Sequence, residues 1–412
     1  MINRKASQYL TDNISTGNFR AFIWHATFLA VAKNFMDVDT VIPAMLIKSG
    51  GAAWHIGLLT TIMVGFARFS QLLFAPMISG AQTKKKHLLV GINLRILSLL
   101  GIAALFFFYT TLSANMIILL IFVLVTIFSV SGAYANIAFT DILGKSVLKE
   151  KRKKFFSLKQ VISSLGMFGS AVAVSYVLKL NSWPENYFWV FMLAGLFLLA
   201  ASLGFWKISE VVSPDYKPVK YKFSHLWSEL KNDKKLIFYL LSINVLGIGQ
   251  GLMPFILLFA GNHDLEASKY VGNLLIAKTL GLIISGVYLY YNSKKVSYQK
   301  MLWLLLAVSL LYPVWAWIFS SNIWFYYMSF FLGGIFLTLY QITNNGVLLE
   351  ISNTQNRALY TGIAGAGNVL PVLFPLLGGS LIALIGFHYF FGLYALITLT
   401  GIYFVYKMDC KK

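Results

Sequence analysis

Twelve apolar stretches, each near the roughly twenty residues a helix needs to cross a bilayer, divide this chain, and its basic residues are gathered into alternate gaps between them. Read by apolarity, the spans run over about 21–47, 55–80, 87–111, 114–143, 156–180, 186–207, 236–261, 267–292, 300–320, 323–350, 358–384 and 386–407. Of 34 Lys and Arg, 27 lie in the N-terminal arm, the C-terminal tail and five alternate loops. Short loops rich in Lys and Arg stay in the cytoplasm, so an even number of spans with both termini cytoplasmic is expected. A composition of 58% hydrophobic and 12% charged residues excludes an ordinary soluble domain. The net charge of +20 sits in loops that would face anionic lipid, so nucleic acid is not an expected partner.

Other classes of chemistry find little footing. Cys410 is the only cysteine, which rules out an intrachain disulfide and a thiolate metal cluster. The six histidines are scattered one to a segment, without a zinc-protease pair, and no phosphate-cradling Gly-x-x-x-x-Gly-Lys-Ser/Thr loop is present. Neither an enzyme nor a cofactor is expected, and ATP cannot drive transport from within this chain. The first twenty residues are polar and the apolar run after them is long, so the first helix is expected to insert without a cleavable signal.

The longest polar interruption, Lys207 to Lys235, separates six spans from six. It predicts an N-terminal six-helix bundle over 1–207, a cytoplasmic linker over 208–235 and a C-terminal six-helix bundle over 236–412. Phe223, Leu226, Trp227 and Leu230 give the linker an amphipathic stretch suited to the membrane surface. The halves also match in detail. Asp39 stands four residues before Pro43 in the first span, as Gln250 stands four before Pro254 in the seventh. Asn136 lies five before Asp141 at the end of the fourth span, as Asn345 lies five before Glu350 at the end of the tenth. Each pair is followed by an arginine, Arg152 or Arg357, in a chain that otherwise prefers lysine 28 to 6. Three matches in the same order point to a duplicated bundle.

Twelve spans, a long central loop and a repeated half resemble the major facilitator superfamily of secondary transporters. The resemblance covers essentially the whole chain, and Thr40-Val-Ile-Pro43, Ile56-Gly-Leu58, Gln71-Leu-Leu-Phe-Ala75 and the loop Asp141 to Arg152 are similar to a group of bacterial permeases within it. It implies an all-helical membrane fold of two pseudo-symmetric six-helix bundles, placed in a bacterial cytoplasmic membrane. Gly80-Ala-Gln-Thr-Lys84-Lys-Lys86 keeps the glycine and the cations of the family's usual signature but has lysine where its aspartate would stand.

Charges inside the membrane are the candidate site, because each costs about 2.5–3.5 kcal/mol at the bilayer centre without a partner or a water-filled cavity. Lys33 and Asp37 are four apart and stack on one face of a continuous helix, which would make them a local ion pair. Asp39 precedes Pro43 by four, so its carbonyl loses its helical donor and a polar notch opens; Pro254 does the same at Gln250. Asp39 and Asp37 are therefore candidate proton carriers. Arg68 is either the counter-ion of an aspartate in the first helix or an anion-binding group. Lys278 lies mid-span in a half whose membrane interior has no acid, so its partner must come from the other half or from a substrate. Gln71, Asn244, Gln250, Gln341, Asn344, Asn345 and Asn368 are uncharged candidates, for cavity lining or for hydrogen bonds between helices. Asp141, Arg95, Arg152, Glu350 and Arg357 cluster near the cytoplasmic ends and are read as gate residues, Arg95 being within reach of Asp141.

The reading is a monomeric secondary transporter that moves a small organic solute, anionic or zwitterionic, by alternating access between two bundles, with H⁺ as the candidate coupling ion. The alternatives are a multidrug or lipid efflux permease, favoured by 16% aromatic residues, and a non-transporting membrane sensor or scaffold.

Overall fold

The computed structural model describes residues 10–66, 70, 73–74, 77–78, 81–211, 233–261, 267–292, 296–319, 321–351, 363–365 and 367–408. Every element among them is helical. Helix α1 (Asp12–Phe35) is followed by α2 (Val41–Lys48) and α3 (Ala53–Thr60), which continues as a π turn over Thr61–Phe66. Then come α4 (Lys85–Phe107), α5 (Ala114–Ser146), α6 (Lys149–Leu180) and α7 (Glu185–Trp206). The second half holds α8 (Lys234–Gly247), a 3₁₀ turn over Ile248–Gly251, α9 (Met253–Gly261), α10 (Ala267–Tyr291), α11 (Tyr298–Ile318), α12 (Ile323–Ile351) and α13 (Leu370–Met408).

Nine helical segments among the described residues are long and apolar enough to cross a membrane. Helix α13 spans 39 residues, about 58 Å at 1.5 Å per residue, nearly twice the hydrocarbon thickness. Gly386, at φ 78°, divides it into residues 370–385 and 387–408, two crossings joined by a left-handed turn that favours glycine. The broken first helix and the segment from Ala53 make the set compatible with twelve spans.

The chain forms two compact units. The first comprises residues 1–37 and 66–221, the second 38–65 and 222–412, so the boundary falls just before Asp39. In the first, α4 packs on α5 and α7, and α1 on α6 and α7. In the second, α11 packs on α12 and α13, α8 on α13, α10 on α12 and α3 on α13. The packing of the third span on the fourth thus recurs in that of α11 on α12.

The two prolines singled out in the sequence mark two kinds of break, a non-helical turn at the first and a 3₁₀ turn between α-helical segments at the second. Helix α1 stops at Phe35, residues 36–40 form a turn, and α2 restarts at Val41 with Pro43 in its first turn. Helix α8 stops at Gly247 and α9 restarts at Met253 with Pro254 second. Proline has no amide hydrogen and is tolerated in a first turn, where that hydrogen would be an orphan anyway. Close packing holds the second unit around these breaks: a methyl group at Gly334 of α12 would lie 2.1 Å from the carbonyl oxygen of Lys278, and one at Gly281 would lie 2.0 Å from that of Phe331. Only glycine lets α10 and α12 approach so closely.

Candidate functional site

At the first interruption, Asp39 and Lys278 form a buried ion pair inside the second unit. Lys278 Nζ donates to Asp39 Oδ2 at 2.7 Å, and the two side chains are 4% and 8% exposed for Lys278 and Asp39 respectively. The partner of Lys278 thus comes from the turn between α1 and α2, across 239 residues of sequence. Asp37 is buried in the same turn, past the end of α1, while Lys33 is exposed in the last turn of that helix. The continuous helix on which sequence spacing stacks those two residues therefore ends between them. Arg68 and Gln71 lie outside the described residues.

The second interruption is held by neutral groups. Gln250 Nε2 donates to the Gly247 carbonyl at 3.2 Å, and the buried phenol of Tyr312 donates to the Gly249 carbonyl. Ser309 and Tyr394 extend this buried polar cluster, their hydroxyls 2.7 Å apart.

Asn244 turns out to staple a third break. Its Oδ1 accepts from the amides of Val369 and Leu370 at 2.9 and 2.8 Å, and its Nδ2 donates to the carbonyls of Leu240 and Gly367 at 2.8 and 2.6 Å. Two donors and two acceptor positions are all used, so Asn244 caps the start of α13 and has no hydrogen-bonding capacity left for a solute. Asn368 Nδ2 donates to Tyr340 Oη at 3.1 Å, while its buried Oδ1 has no partner. Asn344 accepts from the Tyr239 hydroxyl. Gln341 and Asn345 are exposed on α12.

The groups expected to gate separate into different environments. Asp141, near the end of α5, pairs with Lys84 at 2.9 Å and Lys145 at 3.0 Å. Arg95 instead lies over the Phe128 ring at 4.2 Å, with a buried Nε that makes no hydrogen bond. Glu350 is exposed at the end of α12; the side chain of Arg152 and the whole of Arg357 fall outside the described residues. Sequence reasoning missed Glu210. It is 3% exposed, accepts from the amides of Lys84 and Lys85 at 2.7 and 2.8 Å, and pairs with Lys145 at 2.7 Å. Asn18 binds the adjoining strand of chain through Ser209, at 2.9 Å from its amide and 2.8 Å from its carbonyl. An acid just past an apolar span, in a loop full of lysines, was the available signal. Lys84 thus meets two acids of the same unit, Asp141 at its ammonium and Glu210 at its backbone amide.

Comparison with known proteins agrees with this architecture. A family model described as the Major Facilitator Superfamily matches residues 267–409. Similar solved structures include a POT family transporter in complex with a thioalcohol conjugated peptide, 11% identical with a TM-score of 0.70 over 95% of this chain and 96% of that one. The nucleoside transporter NupG, in a mutant form, is 12% identical with a TM-score of 0.66, over 96% and 98%. A bacterial homologue of the iron transporter ferroportin, in an inward-facing state, is 12% identical with a TM-score of 0.68, over 96% and 98%. No curated protein matches the sequence. Nine apolar helical segments of membrane length among the described residues define a multi-pass membrane protein. The family model thus matches only the later part of the chain, while these solved structures share its fold over nearly the whole length.

Proposed function

We propose that this protein is a secondary transporter that carries a small organic anion or zwitterion by alternating access, coupled to H⁺ through Asp39. The observation that carries the reading is the buried Asp39–Lys278 pair at a helix break. A buried pair is stable only while both charges are satisfied, and removing either partner alone costs about 3–5 kcal/mol. Two events that each discharge one member therefore offset each other. Protonation of Asp39 releases Lys278, and a substrate carboxylate then takes the place of the aspartate on the ammonium. Loss of the proton restores the ion pair and expels the anion. Proton and anion bind together and leave together, which is the requirement for symport. Helix breaks at membrane depth suit this exchange, since unwound backbone is tolerated there where it is buried in protein or lines a cavity.

In this scheme Arg68 is a second cation for the substrate, Asp37 a secondary proton carrier, and Gln250, Gln71, Gln341, Asn345 and Asn368 supply neutral contacts. Asp141, with Lys84, Lys145 and Glu210, forms the gate on the lysine-rich side, where Arg95, Arg152, Glu350 and Arg357 are the further candidates. The lysine-rich loops favour a cytoplasmic position for that side.

Thermal melting of the purified protein against anionic, zwitterionic, cationic and neutral metabolites tests the substrate class, because a ligand selective for the folded state raises the midpoint. An anion that stabilises the wild type should lose roughly 1.5–3 kcal/mol of binding in Lys278→Gln/Asp39→Asn, where the charged contact is gone but no charge is stranded. Equal stabilisation of both proteins would end the anion reading and favour neutral or amphipathic cargo.

A further inference from the structure

Between α4 and α5, in the first unit, lies a recess of about 460 Å³, with Phe74 against Tyr134 at one side of it. Its α4 wall is Val90 and Leu94, both exposed, at 52% and 41%. Its α5 wall is Thr126, Ile127, Val130, Ser131 and Tyr134, in which Thr126, Val130 and Tyr134 recur every four residues and Ile127 and Ser131 lie beside them, so that they form one stripe. The polar atoms of that stripe are all turned away. Thr126 donates to the Phe122 carbonyl at 2.7 Å, Ser131 to the Ile127 carbonyl at 2.5 Å, and the Tyr134 hydroxyl is bound to His87 Nδ1 at 2.5 Å. Only carbon therefore faces the recess, although three hydroxyl side chains line it.

Length and charge identify what such a groove would hold. Tyr134 to Thr126 is eight residues, about 12 Å along the helix. Lys85, the first residue of α4, is nine residues from Leu94, so the groove lies within about 14 Å of the lysine-rich end of the span. That is the depth of one leaflet in a hydrocarbon core of about 30 Å. The end nearer the loop is closed by the His87–Tyr134 contact, and Lys86 is exposed in the first turn of α4 beside it. An apolar slot one leaflet deep, running along the helices and headed by a cation, matches a single acyl chain with an anionic headgroup.

We propose that the α4–α5 groove is a binding site for one anionic phospholipid, its acyl chain lying along Val90, Leu94, Val130 and Thr126 and its phosphate at Lys86. None of the residues assigned to transport takes part. The site therefore stands or falls apart from the proton-coupling reading.

Native mass spectrometry of the full-length protein, delipidated and then titrated with phosphatidylglycerol or phosphatidylcholine, is the test. One phosphatidylglycerol per chain should be retained about fivefold more strongly than phosphatidylcholine, the ratio one lysine near an anionic surface supplies. Val90→Trp and Leu94→Trp, at exposed positions where a larger ring fills the slot without entering the core, should each lose the retained lipid. Lys86→Gln should keep the lipid but lose the preference. A phosphatidylglycerol with a photoactivatable acyl chain should label the wild type within residues 90–94 and 126–134. Equal retention by wild type and both tryptophan variants would overturn the proposal, as would labelling elsewhere. Protection by free glycerol phosphate as strong as by the intact lipid would overturn it too, because the headgroup alone would then be the ligand.

Discussion

The two proline-marked breaks occupy equivalent places in the repeat, yet they are built from opposite chemistry. At residues 36–40 the break carries a carboxylate, Asp39, locked to Lys278; at Ile248–Gly251 it carries an amide, Gln250, and a carbonyl held by Tyr312. Duplication would have supplied the same notch twice. The difference lies in what each can respond to. A carboxylate and an ammonium can change charge state or partner; an amide bonded to its own helix can do neither at any accessible pH. On this ground the carboxylate break is the one that suits coupling, and the amide break suits neutral contacts.

The strongest way to break the comparison is to strand one charge at the first break. Lys278→Gln should destabilise the protein by about 3–5 kcal/mol, seen as lost folded yield and a lower melting midpoint, and adding Asp39→Asn should restore most of it. A double variant no better than the single would mean the pair is not the stabilising unit.

Making the second break resemble the first is the next largest perturbation. Gln250→Glu introduces a carboxylate with no designed cation, which costs about 2.5–3.5 kcal/mol at the bilayer centre. Melting that matches the wild type would show that this break tolerates charge, and the asymmetry would lose its meaning.

A smaller effect is expected where the scaffold is neutral throughout. Asn244→Ala leaves the Val369 and Leu370 amides without their cap and should cost about 0.5–2 kcal/mol, with substrate affinity unchanged once folding is corrected for. A selective loss of affinity would return Asn244 to the substrate site.

The smallest effect belongs to the surface. Lys151 hydrogen-bonds to and pairs with Asp12 at 2.7 Å, which holds that carboxyl below its usual value. Stability from such a group is present above the unfolded carboxyl value of 3.8 and is lost as pH falls through the lower folded one. Because Asp12 is fully exposed, Asp12→Asn should leave the melting midpoint unchanged at neutral pH. A clear drop would mean the N-terminal end of α1 matters more than either break.

What was legible in the sequence follows the range of the physics involved. The breaks were, because proline acts within four residues of itself. The need of Lys278 for a partner from the other half was also legible, since a lone charge in hydrocarbon is a local contradiction and the acids available to it are few. Which aspartate answers it was not: Asp37 and Asp39 are two residues apart, and only the turn at 36–40 decides which one meets α10. The saturation of Asn244 was hidden because three of its four partners lie 123–126 residues away. Glu210 was hidden by composition, an acid in a basic loop whose burial depends on tertiary structure. Arg95 has a depth in its span that suits Asp141, but Lys84 and Lys145 reach that carboxylate and leave the guanidinium on Phe128.

The most direct test is transport by Asp39→Asn in proteoliposomes, with accumulation under an imposed pH gradient measured beside exchange of labelled for unlabelled substrate at equal pH. The account predicts that accumulation is abolished while exchange persists, because the amide cannot release a proton yet still leaves Lys278 open to an anion. Accumulation equal to that of the wild type would contradict it, since proton coupling would then not pass through the Asp39–Lys278 pair.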